Sequence, residues 1–344
     1  MPHRKSREIR LRRRPEGLPV PDDFELVEVD LPEPADGEVL VRNLYLSVDP
    51  YMRGRMIDRP SYMPPFELGK PLEGGCVGRI VESRNSRLRE GQYVVGMQGW
   101  REFYLSNGRG LFPVDPALAP LPAYLGVMGM PGLTAYVGLL DFGKPVQGET
   151  LFVSAAAGAV GSTVCQIGKI KGCRVVGSAG TDEKVDWLLR EAGVDCAFNY
   201  KRVPSLNREL ERLCPDGIDV YFENVGGAHL EAALERMNLR GRIVLCGMIA
   251  RYNDTKLEPG PRNLFLAIGK RLTVRGFIVS DHLDRIGPFT TDMARWISEG
   301  KIRWKTTVLE GIEKAPDAFI GLFKGENLGK MLVRVSPEAP AGAC

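Results

Sequence analysis

Histidine is scarce in this chain of 344 residues, which contains only His3, His229 and His282. The cysteines are also widely scattered, and none stands at the C-x-x-C spacing that is typical of metal-binding loops. A closed four-ligand zinc site therefore cannot be assembled from neighbouring residues. We predict that no metal is bound, with a site built from distant residues as the weaker alternative. The cysteines are interpreted as small buried apolar residues or idle thiols in a reducing compartment.

The sequence also lacks long apolar runs. It contains no stretch of about 20 apolar residues that could span a bilayer, and no apolar segment typical of a secretion signal. These absences predict a cytoplasmic protein that has no membrane partner.

A strong net charge is missing as well. The 46 lysines and arginines oppose 43 acids, which gives a formal net charge of +3, so the overall field does not favour nucleic acid as a partner. One basic cluster lies between His3 and Arg14 and is interrupted by Glu8. We interpret it as a solvated first strand, with a transit peptide or a nucleic-acid-binding arm as the less favoured alternatives.

Two kinds of pattern divide the chain. Up to about residue 120, short segments punctuated by proline and glycine predict a β-rich domain that forms a partly open barrel. From about residue 124, short apolar runs alternate with helical periods, the first helix being predicted from Ser162 to Lys171. This alternation predicts an α/β fold with a doubly wound parallel sheet. We place one domain at 1–124, completed by the tail 302–344 with its strand MLVRV, and the other at 125–301.

A glycine-rich turn follows the predicted strand LFVSA at 151–155. Residues 156–161 read AAGAVG and match a dinucleotide-binding fingerprint in which Ala156 replaces the first glycine. Gly158 would let a pyrophosphate approach the backbone, Gly161 would permit close helix packing, and the helix N-terminus would supply free N–H groups. The motif alone fits a plain tight turn equally well, but the surrounding strand and helix units favour a nucleotide site.

The tip of the next strand bears on the choice of cofactor. Residues 177–180 read GSAG, without the acid that would bind the ribose 2′-hydroxyl of NAD. Thr181 is predicted to cap a helix whose first turn carries Lys184, close to where a 2′-phosphate would lie. The pattern favours NADP, although Asp182 and Glu183 stand beside the lysine and a solvated lysine is the alternative.

Several stretches in order are LYLSVDPYMRGRM (44–56), LGVMGMPGLTAYVGLL (125–140), SAAAGAVGSTVCQIGKIKGCRVVGSAG (154–180), FNYK (198–201), FENVGG (222–227), CGMIARYN (246–253) and ENLGKMLV (326–333). The resemblance that they carry extends over nearly the whole chain. In this combination the sequence resembles the zinc-independent medium-chain dehydrogenases/reductases, which include prostaglandin and leukotriene B4 reductases, plant double-bond reductases and bacterial curcumin reductases. The resemblance implies a Rossmann NADP-binding domain beside a GroES-like β-rich domain.

The same resemblance implies a set of cofactor contacts. The 2′-phosphate would meet Lys184 and Tyr200, and the turn residues that would hold the pyrophosphate are Gly158, Ala159, Val160 and Gly161. The residues that would line the ribose and nicotinamide are Asn224, Cys246, Gly247, Met248, Ile249, Tyr252, Phe277, Ile278, Val279 and Asn327. Structural roles stay open for some of them: Tyr200 could close a strand, 277–279 could be sheet core, and the two asparagines could be turn residues.

The zinc ligands of related dehydrogenases are missing. PLEG at 71–74 stands where zinc-dependent relatives carry Gly-His-Glu, and VDP at 48–50 stands where they carry a cysteine. Without a Lewis acid a simple carbonyl accepts hydride poorly, whereas the β-carbon of an enone is electrophilic and needs only hydrogen-bond donors at its carbonyl. The resemblance implies Tyr252 as that catalytic donor, with a packed loop tyrosine as the alternative. Tyr51 is a second substrate-pocket candidate for which a structural role is equally open, and Arg251 departs from the relatives at the pocket mouth.

We therefore predict an NADPH-dependent reductase of the C=C bond of α,β-unsaturated ketones and aldehydes, small molecules that take hydride at the β-carbon. A quinone reductase on the same fold and a non-catalytic NADPH-binding protein are the alternatives. The apolar strand LTVRGFIVS at 272–280 is predicted to be last in the nucleotide sheet. Its exposed edge predicts an isologous homodimer, which the resemblance also implies.

Overall fold

The computed structural model describes residues 4–256 and 258–338, which fold into two units. The first unit comprises the described residues up to Leu125, Thr306–Asn327 and the chain from Met331 onward. The second comprises Gly126–Lys305 together with the short segment Leu328–Lys330.

The strands in the described ranges are β1 (Arg4–Leu11), β2 (Phe24–Leu31), β3 (Val39–Ser47), β4 (Cys76–Ser83), β5 (Tyr93–Gly96), β6 (Phe103–Ser106), β7 (Phe112–Val114), β8 (Thr150–Val153), β9 (Arg174–Ala179), β10 (Cys196–Asn199), β11 (Ile218–Glu223), β12 (Met237–Leu245), β13 (Thr273–Gly276), β14 (Thr306–Glu310) and β15 (Lys330–Arg334). The helices there are α1 (Met52–Arg55), α2 (Met130–Val137), α3 (Ala159–Ile170), α4 (Asp182–Arg190), α5 (Leu206–Leu213), α6 (Ala228–Arg236), α7 (Leu266–Lys270), α8 (Ile286–Ser298) and α9 (Ala315–Lys324). None of these helices is long and apolar enough to cross a membrane.

The first unit is β-rich, as predicted. Its larger sheet has the strand order β14-β15-β3-β4-β5-β7, with β6 pairing with β3, and β1 pairs with β2 in a separate antiparallel ribbon. The predicted C-terminal strand returns to this unit, since Leu332 of β15 pairs with Ser47 of β3. The rings of Phe24, Trp100 and Phe319 pack together in its core.

The basic N-terminal segment forms a strand, but it is not solvated throughout. Ile9 and Leu11 are buried in the core of the unit, and the buried Glu8 pairs with Arg10. Arg4 is exposed and Arg7 and Arg10 are half-buried, so the strand carries charged side chains between buried ones. The interpretation of this segment as a solvated strand is therefore half wrong.

The second unit contains the parallel sheet that the alternating pattern predicts. Its strand order is β10-β9-β8-β11-β12-β13, and every neighbouring pair is parallel. This order, numbered within the unit, is the 3-2-1-4-5-6 of the doubly wound Rossmann fold. The order reverses between β8 and β11, so the carboxyl ends of these two strands mark the place where such sheets bind ligands. The predicted fold class is confirmed.

Two predicted element boundaries are wrong. Helix α3 begins at Ala159 and not at Ser162, because Gly158 already occupies the position before the first helical turn. The apolar strand predicted at 272–280 is shorter, since β13 covers only Thr273–Gly276. Phe277 leaves the strand and packs on Phe142, with ring centroids 5.3 Å apart, which ends the edge pairing after four residues.

Candidate cofactor and active site

The glycine-rich turn joins β8 to α3 in a tight conformation. Ala155 has a positive φ of 48°, and the N–H of Ala156 donates to the carbonyl of Ser178 in the neighbouring strand at 2.9 Å. A Cβ on Gly161 would lie 2.4 Å from the Ala155 carbonyl oxygen, so only glycine fits there. A Cβ on Gly177 would lie 2.8 Å from the Ala156 methyl. The glycine of the neighbouring strand therefore makes room for the alanine that replaces the first glycine of the fingerprint.

The N-terminus of α3 provides an anion-binding site. The first hydrogen bond within the helix runs from the N–H of Ser162 to the carbonyl of Gly158 at 2.9 Å. The N–H groups of residues 159–161 precede that bond and lie at the positive end of a 12-residue helix, whose first turn holds no acid. The short segment from Leu328 lies on the same turn, because Gly329 N–H donates to the Ala157 carbonyl at 2.9 Å. This geometry fits a pyrophosphate.

The tip of β9 gathers the side chains predicted for the 2′-phosphate. Thr181 caps α4, its hydroxyl oxygen accepting from the Lys184 N–H at 3.3 Å, as predicted. A Cβ on Gly180 would lie 3.3 Å from the Tyr200 hydroxyl, so this ring closes over the tip. Burial, and then the neighbouring charge of Lys201, lower the pKa of Lys184 from its ordinary value. Sequence reasoning missed Lys201.

A buried carboxylate links the ends of the two central strands. Glu223 is fully buried, and its Oε1 accepts from the Ser154 hydroxyl at 2.8 Å and from the Val225 N–H at 2.6 Å. The Ser154 hydroxyl oxygen in turn accepts from the Asn224 N–H at 2.9 Å. Ser154 and Glu223 were missed in the sequence, although Ser154 directly follows β8 and Glu223 ends β11, at the point where the strand order reverses.

Asn224 is both a structural and a candidate ligand residue. Its Nδ2 donates to the Ser154 carbonyl at 2.7 Å, which fixes the plane of the amide. Within the described ranges Oδ1 makes no hydrogen bond, so this carbonyl oxygen is the atom that can accept from a ligand. The turn role considered from the sequence is therefore real, and it leaves the binding role open.

The segment after β12 lies against Asn224, as a nicotinamide site requires. Backbone N–H groups of Cys246 and Gly247 donate to the Glu223 carbonyl at 3.0 and 3.1 Å, and that of Ile249 donates to the Asn224 carbonyl at 3.1 Å. Burial, followed by the charge of Glu223, raises the pKa of Cys246 to about 12. Cys246 therefore stays a thiol and lines the site without acting as a nucleophile.

Tyr252 lies over this segment. Its hydroxyl oxygen accepts from the Met248 N–H at 3.3 Å, and a Cβ on Gly247 would lie 3.0 Å from the same oxygen. A hydroxyl that accepts one hydrogen bond becomes a stronger donor of its own proton. Arg251 pairs with Asp254 at 3.1 Å and donates to the Pro259 carbonyl at 3.3 Å, so its guanidinium is held along the loop that follows Tyr252.

Not all predicted residues come together in the second unit. Tyr51 and Asn327 belong to the first unit, where Tyr51 precedes α1 and Asn327 follows α9. The Tyr51 hydroxyl is buried without a hydrogen-bond partner among the described residues, and burial is the main reason that its pKa is raised. Phe277, Ile278 and Val279 follow β13 and are half-buried.

In residues 4–256 and 258–338, no three His, Cys, Asp or Glu side chains lie together as a metal site would require.

His229 is an unexpected neighbour of Tyr200. Its ring is 4% exposed and stands edge-on to the Tyr200 ring, with centroids 5.0 Å apart. Burial lowers the pKa of His229 from 6.5 to about 4. The imidazole is therefore neutral at pH 7 and supports Tyr200 as a packed ring.

We expect His229 to make the protein less stable in mild acid. Between pH 6.5 and 4 the unfolded chain binds a proton at this residue and the folded chain does not. As the pH is lowered through this range, the free energy of unfolding should therefore fall by about 1.4 kcal/mol per pH unit because of this group. Urea unfolding of the wild type and of His229→Phe at pH 7, 6 and 5 measures this. The variant keeps a ring beside Tyr200 and should show a shallower pH dependence; equal slopes would contradict the assignment.

Comparisons with known proteins agree with this architecture. The family model for the N-terminal domain of oxidoreductases matches residues 7–114, and the model for zinc-binding dehydrogenases matches residues 159–299. The NADPH-dependent curcumin reductase of Escherichia coli is 46% identical over 333 residues, which cover 94% of this chain and 95% of that protein. The NADP(+)-dependent 2-alkenal reductase of Nicotiana tabacum is 45% identical over 328 residues, with 94% and 95% covered.

A solved structure matches just as fully. The crystal structure of CurA in complex with NADPH from Vibrio vulnificus superposes with a TM-score of 0.92 at 43% identity, covering 96% of this chain and 100% of that one. Sequence identity of this size over both units identifies the family. The chain belongs to the medium-chain dehydrogenase/reductase family, in the branch that contains the curcumin and 2-alkenal reductases.

Proposed function

We propose that the protein reduces the C=C bond of α,β-unsaturated ketones and aldehydes with NADPH, in the cytoplasm, and that hydride goes to the β-carbon. The observation that carries this proposal is the Tyr252 hydroxyl above the Gly247–Met248 backbone, beside Asn224 at the carboxyl ends of β11 and β12. Relatives named as curcumin and 2-alkenal reductases support the substrate class. The solved CurA complex supports the cofactor.

The residues of the second unit fit an NADPH molecule. The turn at 158–161 offers backbone N–H groups to a pyrophosphate, and the tip of β9 offers Lys184 and the Tyr200 hydroxyl to a 2′-phosphate. Asn224 Oδ1 and the backbone of 246–249 would hold the ribose and the carboxamide, and the backbone of 277–279 would line them. Asn327, which belongs to the first unit, stays a predicted cofactor contact. When bound, the cofactor supplies the hydride.

Tyr252 has the chemistry that the rest of the reaction needs. A hydrogen bond from its hydroxyl to the substrate carbonyl withdraws electron density from the β-carbon and stabilises the negative charge that develops on oxygen. The α-carbon then takes a proton from Tyr252 or from water, which gives a saturated ketone or aldehyde. Tyr51 of the first unit stays a second candidate for substrate binding. No metal is needed, since hydrogen-bond donors suffice for a conjugated carbonyl and the zinc ligands of related enzymes are replaced at 48–50 and 71–74.

Isotope transfer tests the reaction directly. With NADPH deuterated at C4 on the transferred face, the label should appear on the β-carbon of the saturated product. A label on the carbonyl carbon, with an allylic alcohol as the product, would show that the enzyme is a carbonyl reductase. If the enzyme is given an enone together with a quinone and forms mainly the hydroquinone, that result would favour the quinone reductase alternative.

Loss of the Lys184 ammonium should change cofactor preference. Lys184→Ala is expected to weaken NADPH binding by roughly 10- to 100-fold, because charge-assisted hydrogen bonds contribute roughly 1.5 to 3 kcal/mol. NADH, which has no 2′-phosphate, should bind as before. Titration of both cofactors by fluorescence gives the two dissociation constants, and equal constants for NADPH and NADH in the wild type would refute the assignment.

We propose in addition that the protein is a homodimer. Strand β13 is last in its sheet and all four of its residues are exposed. Apolar side chains are exposed in β13 and in the chain shortly before it, with Phe265 67%, Ile268 83% and Val274 43% accessible. Pairing of two β13 edges across a two-fold axis would cover them. A monomer in light scattering at micromolar concentration would exclude this arrangement.

A further inference from the structure

We propose that Lys201 is a second cation for the 2′-phosphate of NADPH, and that it acts with Lys184 across Gly180 to set the preference for NADPH over NADH. This inference rests on the proposed function. It adds a specificity-determining residue that neither the glycine fingerprint nor the strand pattern indicates.

The geometry of the chain after β10 brings Lys201 to the site. A Cβ on Gly180 would lie 3.3 Å from the Tyr200 hydroxyl and 3.5 Å from Lys201 Cε, so both side chains border the same point. Consecutive residues of an extended strand would point to opposite faces. Here the chain turns instead, because Asn199 accepts from the Lys201 N–H through Oδ1 at 3.1 Å and from the Arg202 N–H through its carbonyl at 3.0 Å.

The two ammonium groups lie close enough to repel each other. Burial lowers the pKa of Lys184 first and the charge of Lys201 lowers it second, while the charge of Glu183 raises it. Within the described ranges no carboxylate pairs with the Lys201 ammonium. Two neighbouring cations are unfavourable until an anion lies between them, and a phosphate relieves this repulsion.

One of the two acids beside Lys184, Asp182, already has partners of its own. Asp182 Oδ1 accepts from Asn199 Nδ2 at 2.7 Å, and its Oδ2 pairs with Arg202. The turn that brings Lys201 forward therefore also supplies both partners of Asp182. These contacts leave the local charge positive on the side of Gly180, although the exposed ion pair itself adds little stability.

Cofactor titration of lysine variants tests the inference. Lys201→Gln and Lys201→Ala should each raise the dissociation constant of NADPH roughly 10-fold and leave that of NADH within twofold. The same variants should bind 2′,5′-ADP more weakly, because this molecule carries the 2′-phosphate without a nicotinamide. Lys171→Gln, an exposed lysine at the far end of α3, is the matched control and should change none of these constants. Without cofactor, the thermal midpoint of Lys201→Gln should be equal to or higher than that of the wild type, because a repulsion is removed.

The outcomes separate this inference from the proposed function. If Lys184→Ala weakens NADPH selectively while both Lys201 variants bind it within twofold of the wild type, Lys201 has no part in the site. If the Lys201 variants lose affinity for NADH and NADPH equally, the side chain has a structural role and the inference is wrong. If the wild type itself does not discriminate between the two cofactors, the proposed NADPH preference is wrong, and so is this inference.

Discussion

Replacement of Tyr252 with phenylalanine is expected to lower the turnover of an enone by about 10²- to 10³-fold. The substitution removes the hydroxyl that, in the proposed mechanism, donates to the developing enolate, and it keeps the ring. Donation from a cofactor hydroxyl or from water would make the loss smaller. Because the hydroxyl acts on the substrate, the dissociation constant of NADPH should stay within about twofold of the wild type.

Steady-state kinetics with a small enone and a direct NADPH titration measure the two quantities separately. Tyr124→Phe is a suitable control, since its hydroxyl donates to the Asp115 carbonyl at 2.6 Å on the surface of the first unit. That variant should keep full turnover. Turnover of Tyr252→Phe within threefold of the wild type would remove Tyr252 from the mechanism and leave it as a packed loop residue.

The glycine-rich turn was predictable from sequence because its contacts are local in the chain. The strand, the turn at 156–161 and the following helix are consecutive, and Gly161 has a local steric reason, since its Cβ would meet the Ala155 carbonyl oxygen. The cap at Thr181 is local in the same way, because the bond to the Lys184 N–H spans three residues.

Contacts between distant segments could not be predicted. The room for Ala156 comes from Gly177 in the neighbouring strand, and the partners of Glu223 include Ser154, which lies 69 residues earlier. Lys201 was missed as a neighbour of this site because a strand pattern would place it on the face opposite Tyr200. The turn at Asn199 instead brings both side chains to Gly180. The strand at 272–280 was predicted too long because Phe277 is apolar whether it continues the strand or leaves it, and its packing on Phe142 could not be read from the sequence.

Gly161→Ala should be the most damaging single substitution in the turn. The added Cβ would lie 2.4 Å from the Ala155 carbonyl oxygen and 2.9 Å from Ala156 Cα, and both are backbone atoms that cannot move aside. Ala155 already has a positive φ, so the turn has little freedom to adjust. We expect a loss of roughly 2 to 4 kcal/mol in the free energy of unfolding, since overpacking against backbone costs more than against a flexible side chain.

Two other glycines show whether the effect comes from this contact. A Cβ on Gly158 would meet only the Ala155 carbonyl oxygen at 3.3 Å, and its φ of −79° suits alanine. Gly158→Ala should therefore fold with little loss of stability. It should bind NADPH more weakly, because the methyl group would lie where the pyrophosphate approaches the backbone. Gly287→Ala in α8 meets nothing within 4 Å and should be neutral or slightly stabilising. Urea unfolding and NADPH titration of the three variants give the comparison, and a Gly161→Ala protein as stable as Gly287→Ala would show that the turn can relax around a side chain.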